Sequence, residues 1–259
     1  MPNTRLSPAP WVITGGASGF GRAFAHRLTR QGASVSLWDR DAEALRAVRD
    51  ELGVAGHDEV LDVRDEEAVL SAAERTAAAL GSVGHVIACA GILRVGDALD
   101  VGPDARRSMM DINFHGSVST AHALVPHLRA ASGRSVVLFV GSVAGMRGFP
   151  GLAAYGASKF AVIGYAQALR AELHGSGVDV RVLCPPAGDT PMVRNIEKMP
   201  PVYRLSALVS AETVVDAAMA GMQGNEWRIL VDARSKVVSA VDRAVPGIVD
   251  RVVGWASKT

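Results

Sequence analysis

Thr14-Gly15-Gly16-Ala17-Ser18-Gly19-Phe20-Gly21 follows directly on the apolar run 11–14, and a helical pattern begins inside it. Glycines at these positions let the backbone turn tightly and approach a pyrophosphate with no Cβ in the way. The start of the helix adds unpaired N–H groups and a partial positive charge. The spacing is Gly-x-x-x-Gly-x-Gly rather than Gly-x-Gly-x-x-Gly. Glycine clusters also make plain turns, so it is the placement between strand and helix that turns this one into a candidate phosphate cradle.

Outward from the turn, short apolar runs alternate with longer helical patterns. Strands are expected at 11–14, 34–38, 57–61, 83–89, 135–139, 178–183 and 227–231, and helices at 21–31, 42–52, 66–80, 105–130, 155–175 and 212–223. This alternation is the sequence form of repeated βαβ units. The expected fold is α/β: a single domain over residues 1–259, built as a Rossmann-type doubly wound parallel sheet with helices on both faces. Residues 1–110 read mainly as the dinucleotide-binding half and 111–259 as the catalytic and substrate half, with a lid at about 189–206 and an amphipathic tail at 235–259.

Composition narrows the function classes. Apolar residues make up 49% of the chain and charged residues 20%, as expected of a globular protein rich in buried strands. A formal charge of +1 with acids and bases interspersed offers no basic stripe for a nucleic acid. Cys89 and Cys184 lie in or beside apolar runs and form no spaced framework, so they are expected as reduced thiols in a cytoplasmic protein. The first ten residues hold no apolar stretch of a signal peptide or anchor, and no apolar run is long enough to cross a membrane. The histidines show no spacing that would bind a metal.

Asp39 ends the second expected strand, roughly twenty residues beyond the turn, where a carboxylate accepts from adenosine ribose hydroxyls and repels a 2′-phosphate. That favours NAD over NADP. Asp39 or Asp41 also fits a helix N-cap, and Arg40 is the residue a phosphate site would want, so NADP stays as the alternative.

Tyr155-Gly156-Ala157-Ser158-Lys159 puts a phenol and an ammonium four residues apart on one helical face. An adjacent ammonium favours phenolate and is expected to lower the phenol pKa from near 10, giving a pair able to exchange a proton with an alcohol or ketone oxygen. Ser142 falls at a strand's carboxyl end, and Asn113 lies within Asp111-Ile112-Asn113-Phe114-His115-Gly116. Taken singly, Tyr155 and Lys159 also fit a surface helix pair, Ser142 a turn residue and Asn113 a satisfied polar group in a helix.

In order and spacing these residues, with the glycine turn, resemble the short-chain dehydrogenase/reductase family over almost the whole chain. The resemblance implies a tetrad of Asn113, Ser142, Tyr155 and Lys159, in which Tyr155 exchanges the proton, Ser142 hydrogen-bonds the substrate oxygen and Asn113 positions a water behind Lys159. It implies Gly15, Ser18, Gly19, Phe20 and Gly21 at the pyrophosphate, Asp62 with Val63 at the adenine, and backbone contacts from Ala90 and Gly91. Lys159 would also hold the nicotinamide ribose, and Thr190, in the stretch that begins at Pro185, would meet the carboxamide. The implied partners are a small alcohol or ketone and further copies of the chain, as a homodimer or homotetramer formed through helices 105–130 and 155–175.

Two departures from the family pattern stand out. Its Asn-Asn-Ala-Gly is here Ala88-Cys89-Ala90-Gly91, so the amide that ties neighbouring strands is missing and local loosening is expected. Its Pro-Gly is Pro185-Pro186, a stiffer approach and a candidate for a cis bond. The apolar lid, with Met192, Val193, Ile196, Met199 and Tyr203, suggests a lipophilic substrate and resembles a branch containing NADPH-dependent 3-ketosphinganine reductases, the second reading of function. A dinucleotide sensor without turnover is a third, disfavoured because such proteins tend to lose the tyrosine or lysine. The tail's valine stripe fits packing on its own fold or on a partner subunit better than on a membrane surface.

Overall fold

Seven parallel strands form the central sheet of the computed structural model, which describes residues 6–197, 199–200, 203, 208–244 and 247. They are β1 (Trp11–Thr14), β2 (Val35–Asp39), β3 (Glu59–Val60), β4 (His85–Ala88), β5 (Ser135–Val140), β6 (Val178–Cys184) and β9 (Arg228–Leu230). A separate parallel pair joins β7 (Gly188–Asp189) to β8 (Val209–Ser210). Across the large sheet the order is β3-β2-β1-β4-β5-β6-β9. The direction of winding reverses between β1 and β4, which opens a crevice at the carboxyl ends of those strands, the usual ligand position in such sheets.

The strands are apolar along their length because both faces are covered. Alternate side chains go to opposite layers. Trp11, Ile13, Ile87 and Leu138 pack beneath α1 (Gly19–Thr29), α2 (Ala42–Leu52) and α8 (Ala211–Gln223). Val12, Val86, Val137 and Phe139 pack beneath α3 (Glu66–Leu80), α5 (Gly116–Ala130) and α6 (Ala153–Glu172). Asp41 caps α2 by accepting from the Glu43 and Ala44 amides, and Asp65 caps α3 through Ala68.

The structure revises several sequence expectations. The helix expected at 105–130 is α4 (Pro103–Met110), a π turn at Asp111–His115 and then α5. The π turn carries Asn113, whose amide is bound outside the helix and holds the widened turn in place. The strand expected at 57–61 shrinks to two residues at the sheet edge, where Asp58 turns aside to accept from Leu37 N and pair with Arg49. Neither the β7–β8 pair nor α7 (Pro191–Arg194) was foreseen, being too short to show periodicity. Among the described residues no peptide bond is cis, so the expectation for Pro185-Pro186 fails; the Pro185 carbonyl instead accepts from Val143 N at 3.1 Å. Within the lid, 198, 201–202 and 204–206 lie outside the described residues, as do 245–246 and 248–259 of the tail.

At the opposite end of the sheet, His85 is fully buried and stacked on Trp11 at 4.1 Å. Its Nδ1 accepts from Val136 N at 3.2 Å and its Nε2 donates to Ser7 O at 2.9 Å, which fixes the neutral tautomer and pins the amino-terminal segment to the sheet. Burial pushes the imidazole down to about 4. Because the unfolded chain takes up this proton first as pH falls from 6.5, the stability tied to neutral His85 is complete above 6.5 and lost on acidification through 4. We expect urea unfolding of the wild type to lose up to about 3 kcal/mol over that interval beyond what His85→Gln loses. Equal losses in the two proteins would remove His85 as the source.

Candidate active site

The glycine turn leaves β1 and bends under close constraint. Gly15 and Gly19 have φ of 67° and 51°, in the left-handed region, and a Cβ on Gly21 would stand 2.1 Å from Gly15 O. Asp39 clasps the turn from β2, its Oδ2 accepting from Ala17 N at 3.1 Å and its Oδ1 from Asp41 N at 3.2 Å. Asp41 is therefore the cap of α2, and Asp39 stands in the cleft wall beside Arg40. Ser18 begins α1 without a side-chain cap, so the first amides of α1 keep no side-chain acceptor.

The loosening expected at Cys89 is absent. Thr14 Oγ1 accepts from Cys89 N at 3.1 Å and from Ala90 N at 3.3 Å. The threonine hydroxyl ties β1 to the chain leaving β4 where an asparagine amide would otherwise do so. Sequence reading missed this use of Thr14, although its place at the end of β1 was visible.

On the other side of the crevice the chain leaving β5 makes a short 3-10 turn at Val143–Gly145. Gly145 lies so close to α6 that a Cβ there would stand 2.7 Å from Lys159 O, and this contact brings Ser142 against Tyr155. Ser142 Oγ accepts from Ala144 N at 3.1 Å and lines the cleft with Tyr155, whose phenol pKa it acts to lower. Lys159 Nζ donates to Val140 O at 2.8 Å and stands 5.9 Å from the Tyr155 ring centroid. Asn113 Oδ1 accepts from Ile92 N at 2.7 Å, and its Nδ2 donates to Ile92 O at 3.0 Å and Ser158 Oγ at 2.9 Å. The amide thus ties the chain after β4 to α6.

The ionisation expectation for Tyr155 is reversed. Tyr155 and Lys159 are 8% and 4% exposed. Burial pushes the phenol up to about 12 and the ammonium down to about 8. Loss of hydration outweighs the pull of an ammonium nearly 6 Å from the ring. Tyr155 therefore holds its proton at neutral pH.

One continuous cleft is lined by Gly15, Ser18, Gly19, Phe20, Asp39, Arg40, Asp62, Val63, Ala90, Gly91, Ser142, Tyr155, Lys159, Pro185 and Thr190. Of the residues expected in the site, Gly21 and Asn113 stand behind its wall, acting through close packing and hydrogen bonds. Asp62 is engaged by Arg64, whose guanidinium holds its carboxyl below the usual range. Around Tyr155 lies an apolar cluster: Leu93, Met109 and Leu152, which the sequence did not single out, are buried there with Phe149 and the lid residues Ile196 and Tyr203 packed against them, and Leu93 and Tyr203 line the cleft. The residues present suit a dinucleotide: a helix start without a side-chain cap, a glycine-rich turn, a carboxylate on the cleft wall and an elongated cleft.

Comparison with known proteins agrees with this geometry. The family model described as "short chain dehydrogenase" matches residues 11–201. The 2-dehydro-3-deoxy-L-rhamnonate dehydrogenase (NAD(+)) of Sphingomonas sp. (strain SKA58) is 36% identical over 198 residues, 76% of this chain and 79% of that protein. The 3-dehydrosphinganine reductase TSC10B of Arabidopsis thaliana is 35% identical over 209 residues, 78% of this chain and 61% of its own length. The crystal structure of 3-ketoacyl-(acyl-carrier-protein) reductase from Brucella melitensis, complexed with NADH, superposes with a TM-score of 0.81 at 29% identity, covering 89% of this chain and 100% of that one. With a family model over most of its length and oxidoreductases on every side of it, the chain belongs to the short-chain dehydrogenase/reductase family and is an NAD(P)-dependent oxidoreductase of that family.

Proposed function

We propose that the cleft takes NAD(H) and that the enzyme interconverts a lipophilic secondary alcohol and its ketone, with Tyr155 as the proton-transfer residue. The observation that carries this reading is the meeting of Ser142, Tyr155 and Lys159 in one cleft beside an apolar cluster. The nicotinamide cofactor supplies the hydride or accepts it. Ser142 and Tyr155 hydrogen-bond the substrate oxygen, and Tyr155 gives up its proton as that oxygen gains charge. Lys159 lies beneath and stabilises the phenolate left behind, and Asn113 positions α6 through Ser158. The lid reading draws on residues 189–197, with Met192 40% exposed. Cys89 and Cys184 are both free thiols, which fits a cytoplasmic setting.

Asp39 supports NAD, as do the NAD(+)-named relative and the NADH-bound structure. A second reading, NADPH-dependent reduction of a lipid ketone, draws on Arg40 beside Asp39 in the cleft and on the 3-dehydrosphinganine reductase among the relatives. The oligomer reading gains support from α6: Ala157, Gly164, Ala168 and Ala171 are exposed and Ala161 is half-buried, so the subunit's own sheet does not cover this stripe. A helix of a second copy fits there, and we propose a homo-oligomer through α4, α5 and α6.

Tyr155→Phe is expected to fold and bind cofactor but to lose about three orders of magnitude in kcat, since only the transferable proton is removed. Near-normal turnover with a good substrate would end the assignment. Because the phenol holds its proton below about 12 and Lys159 its charge below about 8, carbonyl reduction should be favoured at neutral pH and decline above 8, whereas alcohol oxidation, which needs the phenolate, should gain as pH rises. Opposite trends in initial-rate profiles would contradict these ionisations.

Asp39→Ala should weaken both cofactors by freeing Ala17 N, and should shift the NADPH:NADH affinity ratio toward NADPH by about tenfold. Fluorescence titration with both reduced cofactors measures this, and a wild type that already prefers NADPH would establish the second reading instead. Ala168→Arg should lower the oligomer mass in light scattering. A wild-type monomer at micromolar concentration would remove the interface.

A further inference from the structure

Asp62, at the end of the cleft far from Tyr155, has no acceptor to spare. Its Oδ1 accepts from Arg64 N and from Arg64 Nε, both at 3.0 Å. Its Oδ2 accepts from the same Nε at 3.0 Å and from a terminal guanidinium nitrogen at 2.5 Å. An ionised carboxyl offers about four lone-pair sites, and Arg64 alone engages them all. The two side chains are 48% and 31% exposed, so the pair adds little to the stability of the fold. Its consequence lies in what Asp62 is left able to accept.

This end of the cleft is the one that receives the adenine. Hydride transfer needs the nicotinamide beside Tyr155, on the side of β5 and α6, and the glycine turn after β1 lies midway. Leu61, Asp62 and Val63 follow β3 at the opposite edge of the sheet. A base arriving there meets the side chains of Leu61, Val63 and Ile112, only 7%, 7% and 8% exposed, which line the cleft. Apolar walls hold a base by its faces whatever its edge carries. At the edge, adenine has an amino donor at position 6, where hypoxanthine has an acceptor oxygen. A site that hydrogen-bonds the donor rejects the analogue that lacks it, and a site that leaves the donor unpaired does not. With its carboxylate oxygens on a guanidinium, Asp62 is of the second kind: a neutral amine does not displace a charge-assisted, two-pronged pair.

We propose that Arg64 determines specificity for the base of the cofactor: by occupying Asp62 it leaves the 6-amino group of adenine unread, so the cleft accepts hypoxanthine in its place. The proposal rests on the reading that sets the nicotinamide beside Tyr155, and its test is equilibrium binding rather than turnover. The full chain is titrated by fluorescence with NADH and with reduced nicotinamide hypoxanthine dinucleotide, and with the corresponding 2′-phosphates. We expect the two bases to bind the wild type within about twofold of each other. Arg64→Ala removes the guanidinium and frees Oδ2, and should favour the adenine cofactor by about tenfold. The double variant Arg64→Ala/Asp62→Ala should return the ratio to near one, which a merely structural effect of losing Arg64 would not do. A wild type that prefers adenine by about tenfold would overturn this proposal alone, as would a ratio unmoved in Arg64→Ala. Failure of every reduced dinucleotide to bind would overturn the cofactor reading of the cleft and this proposal with it.

Discussion

The glycine turn has to pass within contact distance of the chain leaving β4, and that approach organises the cofactor side of the cleft. A Cβ on Gly15 would stand 2.9 Å from Ala90 N, so the two segments interlock backbone to backbone with no room for a side chain between them. Thr14 and Asp39 then fix the seam through hydrogen bonds to amides that the tight path leaves without strand partners. The result is a helix start aimed into the crevice where the sheet reverses its winding, with its first amides uncommitted.

The catalytic side answers to a different constraint, the cost of charge in a dry site. Burial favours neutral forms of both Tyr155 and Lys159, and the ammonium is kept by donating to the Val140 carbonyl at the end of β5. On the proposed mechanism this arrangement is set before substrate arrives. The Ser142 hydroxyl and the Lys159 charge need no reorganisation when the phenol releases its proton, which is where preorganised polar groups act most strongly.

Much of this was legible in the sequence because it rests on local periodicity and turn chemistry. The strands, most helices and the order of the site residues follow from apolar alternation and from the placement of glycine, serine, tyrosine and lysine. What was not legible depends on contacts between distant segments. The π turn at Asp111–His115 exists because Asn113 binds Ile92, and helix periodicity carries no trace of that. The raised phenol pKa follows from burial by Leu93, Met109 and Leu152, which come from three separate segments. The tie supplied by Thr14 in place of an asparagine amide needed the register of β1 against β4.

A cysteine lining a cofactor cleft would ordinarily mark an enzyme as vulnerable to oxidants and alkylating drugs, and Cys89 lines this one. Burial pushes its thiol up to about 12, so the sulfur stays protonated at neutral pH. Peroxides and electrophiles react with the thiolate. The substitution of cysteine at this position thus leaves a protonated thiol on the cleft wall at neutral pH.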